Sequence, residues 1–274
     1  MSQTETIATA AAAPLKRRRP KPPRGSYWLA IGVPVAVVIW WWYASLSARP
    51  VDLPNPVLVA QRAVDLLVGP EAYQTWTSMA RIVIAVMLAL LIGGLLVFMA
   101  RLWRPTETLV GSVIVPFLNS VPALGWAILG VVWFGVGNFA VIFVVTLILI
   151  PFCMVNLWEG MRSLDPGLLE MGRSFTRSNG KILWRIQLPL LIPYTLAAVR
   201  LSFSVGWKVA LIAEFFGAEA GLGLVMNRAR QSFDTPTVFA TIIVVLVIVV
   251  LVERLLFDPL ARYFARRSGT MGTS

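Results

Sequence analysis

Histidine is absent from this chain of 274 residues, and Cys153 is its single cysteine. Without histidine there is no imidazole ligand for a metal, no histidine proton relay and no Ser-His or Cys-His catalytic pair. A single cysteine also excludes an intrachain disulfide. The sequence contains no Gly-x-x-x-x-Gly-Lys-Ser/Thr phosphate loop, so ATP hydrolysis is not expected on this chain. A membrane enzyme therefore has little support, and we expect no cofactor and no metal bound to this chain.

Charged residues are scarce, because they make up 14% of the chain while hydrophobic residues make up 58%. A soluble domain usually carries about 25% charged residues. The composition therefore predicts an all-α membrane protein, in which apolar runs cross the bilayer as helices. The net charge of +11 is interpreted as an orientation signal and as contact with anionic membrane lipid, and not as nucleic-acid binding.

The apolar runs divide the chain into four regions. Residues 1–25 are predicted to be a disordered basic cytoplasmic tail; a cleaved signal peptide has less support, because the next apolar run is long for one. Residues 26–74 contain the first span and an external segment, with a short amphipathic helix at 57–68. Residues 75–267 form the transmembrane core, including a basic loop at 158–189, and residues 268–274 form the C-terminal tail.

About six transmembrane helices are predicted in total. After the first span, five more are expected at residues 75–100, 109–134, 139–157, 190–216 and 237–257. Pro116 and Pro122 break the third of these six spans around Asn119 and Ser120, and Gly135 to Asn138 form a tight turn after it. Lys and Arg concentrate in both terminal regions and in the basic loop, which predicts that both termini are cytoplasmic.

The stretch from Glu170 to Pro189 is the longest mixed polar segment after Glu107, and apolar spans flank it on both sides. Gly180 and the Leu188-Pro189 pair predict two short helices with a bend between them. Two interpretations are open. The loop could be an ordinary basic cytoplasmic loop that orients the helices, or its apolar side could enter a groove on a partner protein.

Glu170, Ile186, Leu188 and Pro189 fall in register with the cytoplasmic signature of ABC importer permeases, which this segment resembles. That signature reads Glu-Ala-Ala, three residues, Gly, nine residues, Ile, any residue, Leu-Pro. Three positions depart from it, namely Met171, Gly172 and Thr176.

The resemblance implies that the loop is a coupling helix that seats in a cleft on a separate ATP-binding subunit, which would carry ATP and Mg. The residues expected to make that contact are Glu170, Gly172, Phe175, Ile186, Leu188 and Pro189.

Two further motifs resemble the nitrate, sulfonate and taurine branch of these permeases. They are Ala213-Glu214 with Gly217 and Gly221-Leu222-Gly223, and Pro122-Ala123-Leu124 with Trp133-Phe134-Gly135. The resemblance implies a type I importer fold in the bacterial inner membrane, a homodimer of permeases and an external solute-binding protein. It also implies that the third and fifth spans line the pathway and that the segment 217–223 is a re-entrant or gate segment. Relatives of this type carry sulfonates, taurine, nitrate, bicarbonate, pyrimidine precursors and aromatic acids, and the excess of positive charge near the pathway favours a small anionic solute.

Polar side chains within the spans are candidates for the pathway, because they are costly at bilayer depth unless paired or wetted. The candidates are Asn119, Ser120, Trp126, Trp207, Lys208 and Glu214. Lys208 could line the pathway or reach an interface, and Arg81 is predicted to anchor one end of its span or to pair with Glu214. Trp126 and Trp207 could pack in the core or stack on a solute. An ion-coupled secondary carrier, with Glu214 as its acidic group, is the alternative function.

Overall fold

A computed structural model describes residues 26–49, 52–102, 109–176 and 178–267 of the chain. The described residues form helices joined by short connections, and no strand occurs among them. The predicted tails at 1–25 and 268–274 lie outside the described residues, so those two predictions stay untested.

The helices are numbered here in chain order. They are α1 (Ser26–Ser47), α2 (Pro56–Val68), α3 (Ala72–Leu102), α4 (Val110–Ser120), α5 (Ala123–Phe134), α6 (Asn138–Arg162), α7 (Pro166–Phe175), α8 (Asn179–Ile182), α9 (Leu188–Gly217), α10 (Leu222–Gln231), α11 (Thr235–Val252) and α12 (Asp258–Arg267). Single π turns join α8 to α9 and α11 to α12, so each of these pairs forms one continuous helical rod.

Four helical rods among the described residues are long and apolar enough to cross a membrane. They cover Ala72–Ala100, Asn138–Arg162, Gly180–Gly217 and Thr235–Phe264. The pair α4 and α5 gives a fifth span if it is counted as one helix bent by 85°. The first predicted span corresponds to α1, which is 22 residues long. Its apolar part, Val35–Ser47, is shorter than the four spanning rods.

The predicted break in the third span is confirmed, and it falls at Val121 and Pro122. Both residues have extended backbone conformations, since ψ is 123° at Val121 and 146° at Pro122. Proline disfavours a helical conformation in the residue before it, which explains why α4 ends where it does. Pro116 causes no break, because it lies in the first turn of the α-helical part of α4.

Helix α6 lies at the centre of the bundle and packs against α3, α5 and α9. Val145, Leu149 and Cys153 of α6 are fully buried. Gly93 of α3 faces Cys153, and the sulfur of Cys153 is 3.3 Å from the hydroxyl of Ser202 in α9. Small side chains at these contacts let the three helices approach closely, as is common between membrane helices.

The predicted amphipathic helix before the second span is confirmed as α2. Asn55 caps its first turn, because the Asn55 Oδ1 atom accepts a hydrogen bond of 2.9 Å from the Val57 amide. Val59, Ala63 and Leu66 are buried on one face, and α2 packs mainly against α11. One end of the bundle is thereby closed by a surface helix.

Three π turns share the same position relative to a proline. They span Val110–Ile114, Leu183–Gln187 and Glu253–Phe257, and in each case a proline follows two residues after the turn ends. A proline ring inside an α-helix collides with the carbonyl four residues earlier. The wider π turn gives the ring room, so each helix continues past its proline instead of ending there.

Candidate functional site

Glu214 is the centre of a buried polar network in the last turn of α9. The residue is 1% exposed. It accepts hydrogen bonds from the Ser78 hydroxyl (2.7 Å), from Nη1 of Arg81 (2.8 Å) and from the Gly223 amide (3.0 Å). Because Gly223 lies in the first turn of α10, the carboxylate also interacts favourably with the positive end of that helix. The predicted pairing of Arg81 with Glu214 is confirmed.

Arg81 of α3 joins two further parts of the chain to this network, and a backbone hydrogen bond adds a third link beside them. Its Nη1 atom also donates to the Ala220 carbonyl at 2.6 Å, and its Nε and Nη2 atoms donate to the Asn138 side-chain oxygen at 2.8 and 2.5 Å. The Gly137 amide donates to the Gly217 carbonyl at 2.8 Å. The starts of α3 and α6 and the end of α9 are therefore fastened together at one end of the bundle, called here the Glu214 end.

The roles of Gln74 and Ser78 in this network were not predicted from the sequence. The side-chain oxygen of Gln74 accepts a hydrogen bond of 2.5 Å from the Gly221 amide, and the Ser78 hydroxyl accepts one of 2.8 Å from the Leu222 amide. Gln74, Ser78 and Arg81 are spaced i, i+4, i+7, so they share one face of α3. A polar stripe with helical spacing at the start of an apolar span was the signal that could have revealed them.

The Gly-Leu-Gly motif has a steric explanation in this network. A Cβ atom on Gly221 would lie 2.5 Å from the Glu214 carboxylate, and a Cβ atom on Gly223 would lie 2.5 Å from the Glu214 Cβ. Gly221 also has φ of +115°, a conformation that L side chains rarely adopt. Only glycine at these two positions lets the loop between α9 and α10 close over the carboxylate.

The predicted coupling residues lie at the opposite end of the bundle, called here the Ile186 end. A Cβ atom on Gly172 of α7 would lie 2.5 Å from Cδ1 of Ile186, so α7 packs closely on the π turn that leads into α9. Glu170 is exposed on α7, Leu188 and Pro189 are exposed at the start of α9, and Phe175 is 84% exposed at the tip of α7. The segment thus presents an uncovered apolar tip.

The position of the bend in this segment corrects the prediction. Gly180 lies inside α8, and the break comes earlier, between Phe175 and Ser178. Thr176 is extended (φ −155°, ψ 135°), and its hydroxyl accepts a hydrogen bond of 3.2 Å from the Ser178 amide. Leu188-Pro189 does not end the second helix either, because the π turn carries the helix past the proline.

Thr176 has no need of a glycine, since its φ is negative. Its departure from the signature therefore causes no backbone strain. Gly172 gives close contact with Ile186 where the signature has alanine. Both departures fit the geometry of the segment.

The remaining predicted pathway residues lie apart from the Glu214 network. Asn119 and Ser120 are exposed at the end of α4, and Trp126 is buried behind them, with its indole 3.4 Å from the Leu118 carbonyl. Trp207 is also buried, and its indole nitrogen has no hydrogen-bond partner within the described residues. Lys208 lies on the exposed side of α9. Their assignment to the pathway stays a prediction.

Comparison with known proteins identifies the family. Residues 85–268 match the profile of the family described as "Binding-protein-dependent transport system inner membrane component". The chain belongs to this family. It is a multi-pass permease component of an ABC transport system, and the resemblance stated from the coupling segment and the glycine motif is confirmed.

Curated relatives of the permease include the taurine transport system permease protein TauC of Escherichia coli, which is 29% identical over 82% of this chain and 84% of the relative. A probable ABC transporter permease protein of Brucella melitensis is 30% identical over 81% and 90% of the two chains. The putative aliphatic sulfonates transport permease protein SsuC of Escherichia coli is 30% identical over 77% and 81%.

The fold of the permease is also found in a solved structure. An inward-facing crystal structure of the MetNI methionine ABC transporter matches 72% of this chain and 97% of the solved chain, with a TM-score of 0.61 and 20% identity. The match shows a shared fold, and the predicted type I importer architecture is confirmed by it.

Proposed function

We propose that this permease is the membrane-spanning subunit of an ATP-driven importer that works as a homodimer with both termini in the cytoplasm. The distribution of Lys and Arg supports this orientation, because basic residues concentrate on the cytoplasmic side of membrane proteins. In this orientation the Ile186 end faces the cytoplasm and the Glu214 end faces outwards. ATP and Mg bind to a separate subunit, which contacts α7.

The observation that carries this proposal is the exposed Phe175 tip on a helix that contacts Ile186 of the π turn before α9. An isolated aromatic side chain that is 84% exposed gains most by filling an apolar pocket on a partner. The close packing of Gly172 on Ile186 connects α7 directly to the start of α9, so a pull on α7 reaches a span that runs to Glu214. The contact can thus transmit motion across the bilayer.

The test replaces Phe175 with aspartate in the complex and measures how much ATPase subunit co-purifies with the permease. We expect Phe175→Asp to lower retention about 10-fold or more, since a buried aromatic anchor contributes at least about 2 kcal/mol to an interface. Trp76→Ala is the matched control, because Trp76 is a similarly exposed aromatic residue near the Glu214 end. Equal retention in both variants would contradict the docking assignment.

The proposed solute is a small compound with an anionic group, with a sulfonate such as taurine or an alkanesulfonate favoured over nitrate and organic acids. The names of two relatives, TauC and SsuC, refer to taurine and to aliphatic sulfonates, and both solutes carry a sulfonate group. Lys208 supports an anion, because an ammonium group on the exposed side of a span is costly in lipid unless it lines a wetted path. In a homodimer two copies of Lys208 would face that path.

Replacing Lys208 with methionine tests this part of the proposal. We expect Lys208→Met to reduce taurine uptake into vesicles about 10-fold, by loss of one charge-assisted contact, while Lys208→Arg retains most of it. β-Alanine is the matched control solute, since it differs from taurine in having a carboxylate in place of the sulfonate. Preferred uptake of β-alanine would contradict the sulfonate assignment, and unchanged uptake by Lys208→Met would leave Lys208 as a structural residue.

The external solute-binding protein is proposed to contact the surface around α2 and α10. A cleft of about 240 Å³ lies there, with Arg62, Glu71, Arg228 and Asp234 in its walls. Gln74 also lines this cleft, and its side chain holds the Gly221 amide. Docking at the cleft would therefore act directly on the loop that closes over Glu214, which gives that loop the role of a gate.

An ion-coupled carrier has less support. Its titrating group would be Glu214, whose carboxylate already receives hydrogen bonds from Ser78, Arg81 and Gly223. The carboxylate is fully buried and paired with Arg81, so a coupling ion would have to displace these partners to reach it.

A further inference from the structure

An apolar groove of about 630 Å³ runs between α3, the end of α6 and the start of α9. Its walls are apolar except for the side chains of Gln187 and Thr195. It lies in the half of the bundle towards the Ile186 end, since its α3 residues run from Met87 to Phe98 and its α9 residues begin at Leu188. Its size is that of a site for a small molecule.

The groove has an aromatic mouth. Trp184, in the π turn before α9, lines the groove and is 73% exposed. Tryptophan is enriched where the apolar interior of a bilayer meets its headgroups, because the ring is apolar and its N–H is polar. Leu91 is 69% exposed on the opposite wall. The order of these residues along the groove matches the passage from acyl chains to headgroups.

Two cations flank Trp184 along the chain, and their side chains are not among those that line the groove. Lys181 lies one helical turn before Trp184, and Arg185 follows Trp184 directly; both side chains are exposed. Neither forms a salt bridge within the described residues, and no acidic side chain lines the groove. Basic residues beside an apolar groove between membrane helices are the elements that recognise anionic lipid headgroups.

We propose that this groove binds an anionic phospholipid, with its acyl chains along α3 and α9 and its phosphate on Lys181 and Arg185. The groove, the interfacial tryptophan and the two cations follow one another in the order in which a phospholipid presents its tails, its interface and its charge. The assignment of this site to the inner leaflet rests on the orientation proposed above, whereas the lipid site itself does not. An anionic lipid there would brace the start of α9 against α3, next to the coupling segment.

The test measures lipid retained by the purified permease–ATPase complex, by native mass spectrometry during titration with phosphatidylglycerol or phosphatidylcholine. Each basic residue contributes about 1 kcal/mol to binding of an anionic surface, so Lys181→Gln with Arg185→Gln should weaken phosphatidylglycerol binding about 30-fold. The matched control is Arg254→Gln with Arg262→Gln, because both are exposed basic residues at the same end and outside the groove. The control should change binding less than about 3-fold.

A second variant tests the groove itself. Leu91→Trp should fill it and reduce binding of both lipids without changing the charge. Equal binding of the two lipids by the unmodified complex, or an unchanged affinity in the Lys181 and Arg185 variant, would overturn the proposal. Disulfide cross-linking of two copies through Leu91→Cys would also overturn it, since a second copy would then occupy the groove.

The orientation can fail separately from the lipid site. If Lys181→Cys is modified from outside the cell by a membrane-impermeant thiol reagent while phosphatidylglycerol selectivity persists, the leaflet and the proposed orientation are wrong and the lipid site stands. Modification only from the cytoplasmic side, together with selectivity for phosphatidylglycerol, supports both.

Discussion

At one end of α9 Glu214 is 1% exposed and its carboxylate is held by three donors, whereas at the other end α9 begins under a helix whose Phe175 is 84% exposed. At the first end the Glu214 carboxylate finds its partners within the chain. The second end leaves apolar surface uncovered. A buried network whose hydrogen bonds are all formed is rigid, and an uncovered apolar tip is typical of a surface that binds a partner. The contrast assigns closure to the Glu214 end and contact to the Ile186 end.

The largest effect on this comparison should come from Arg81→Met. The variant leaves the buried Glu214 carboxylate without its cation, which costs about 3–5 kcal/mol of unfolding free energy. The measurement is the thermal unfolding of the purified complex in detergent. Arg200→Met is the matched control, because Arg200 pairs with Glu253 and Asp258 while its side chain is 39% exposed, so its loss should lower the free energy of unfolding less than the loss of the buried Arg81.

The double variant Arg81→Met with Glu214→Leu should recover part of the loss, since it removes the unpaired charge as well. Equal destabilisation by Arg81→Met and Arg200→Met would show that the two ion pairs are equivalent. The contrast between a rigid and an exposed end would then lose its energetic basis.

A smaller effect is expected from Gly221→Ala. The new Cβ would meet the Glu214 carboxylate at 2.5 Å, and φ is +115°, so steric conflict adds to backbone strain of about 1–3 kcal/mol. Gly135→Ala is the matched control, because Gly135 also has a positive φ (+74°) but nothing lies within 4 Å of its added Cβ. The thermal unfolding temperature of Gly221→Ala should lie well below that of Gly135→Ala. The reverse order would show that the loop does not close tightly on Glu214.

The smallest effect on stability, but a large effect on transport, is expected from Glu170→Lys and Pro189→Leu. Both residues are exposed, and exposed substitutions usually change the free energy of unfolding by less than about 0.5 kcal/mol. We expect ATP hydrolysis by the complex to continue while uptake into vesicles falls about 10-fold or more. Normal uptake in both variants would remove the coupling role of the Ile186 end.

Much of the fold followed from the sequence, because long apolar runs must become helices where no water can satisfy the backbone. The break at Pro122 was predictable for a local reason, since the residue before a proline avoids the helical region. The pairing of Arg81 with Glu214 was predictable from free energy alone, because burying either charged side chain without a partner is strongly unfavourable.

The position of the bend in the coupling segment could not be predicted from local propensity. Gly180 has a low helix propensity, yet it stays helical because the helix continues into α9, and the chain breaks at Thr176 through its own side-chain hydrogen bond. The roles of Gln74 and Ser78 depended on a loop that reaches them from 144 and more residues away. Local spacing marked their shared face and could not name the amides they bind.

The three π turns have a consequence for the length of the chain. A π turn holds one residue more than an α-helix needs, so losing a residue within Leu183–Gln187 would restore an ordinary helix and keep every later side chain of α9 on its present face. Losing a residue within α9 itself would rotate all later side chains by about 100° and carry Glu214 away from Arg81. Permeases of this fold can therefore differ in length by one residue at three places, provided that the proline two residues beyond the turn is replaced as well.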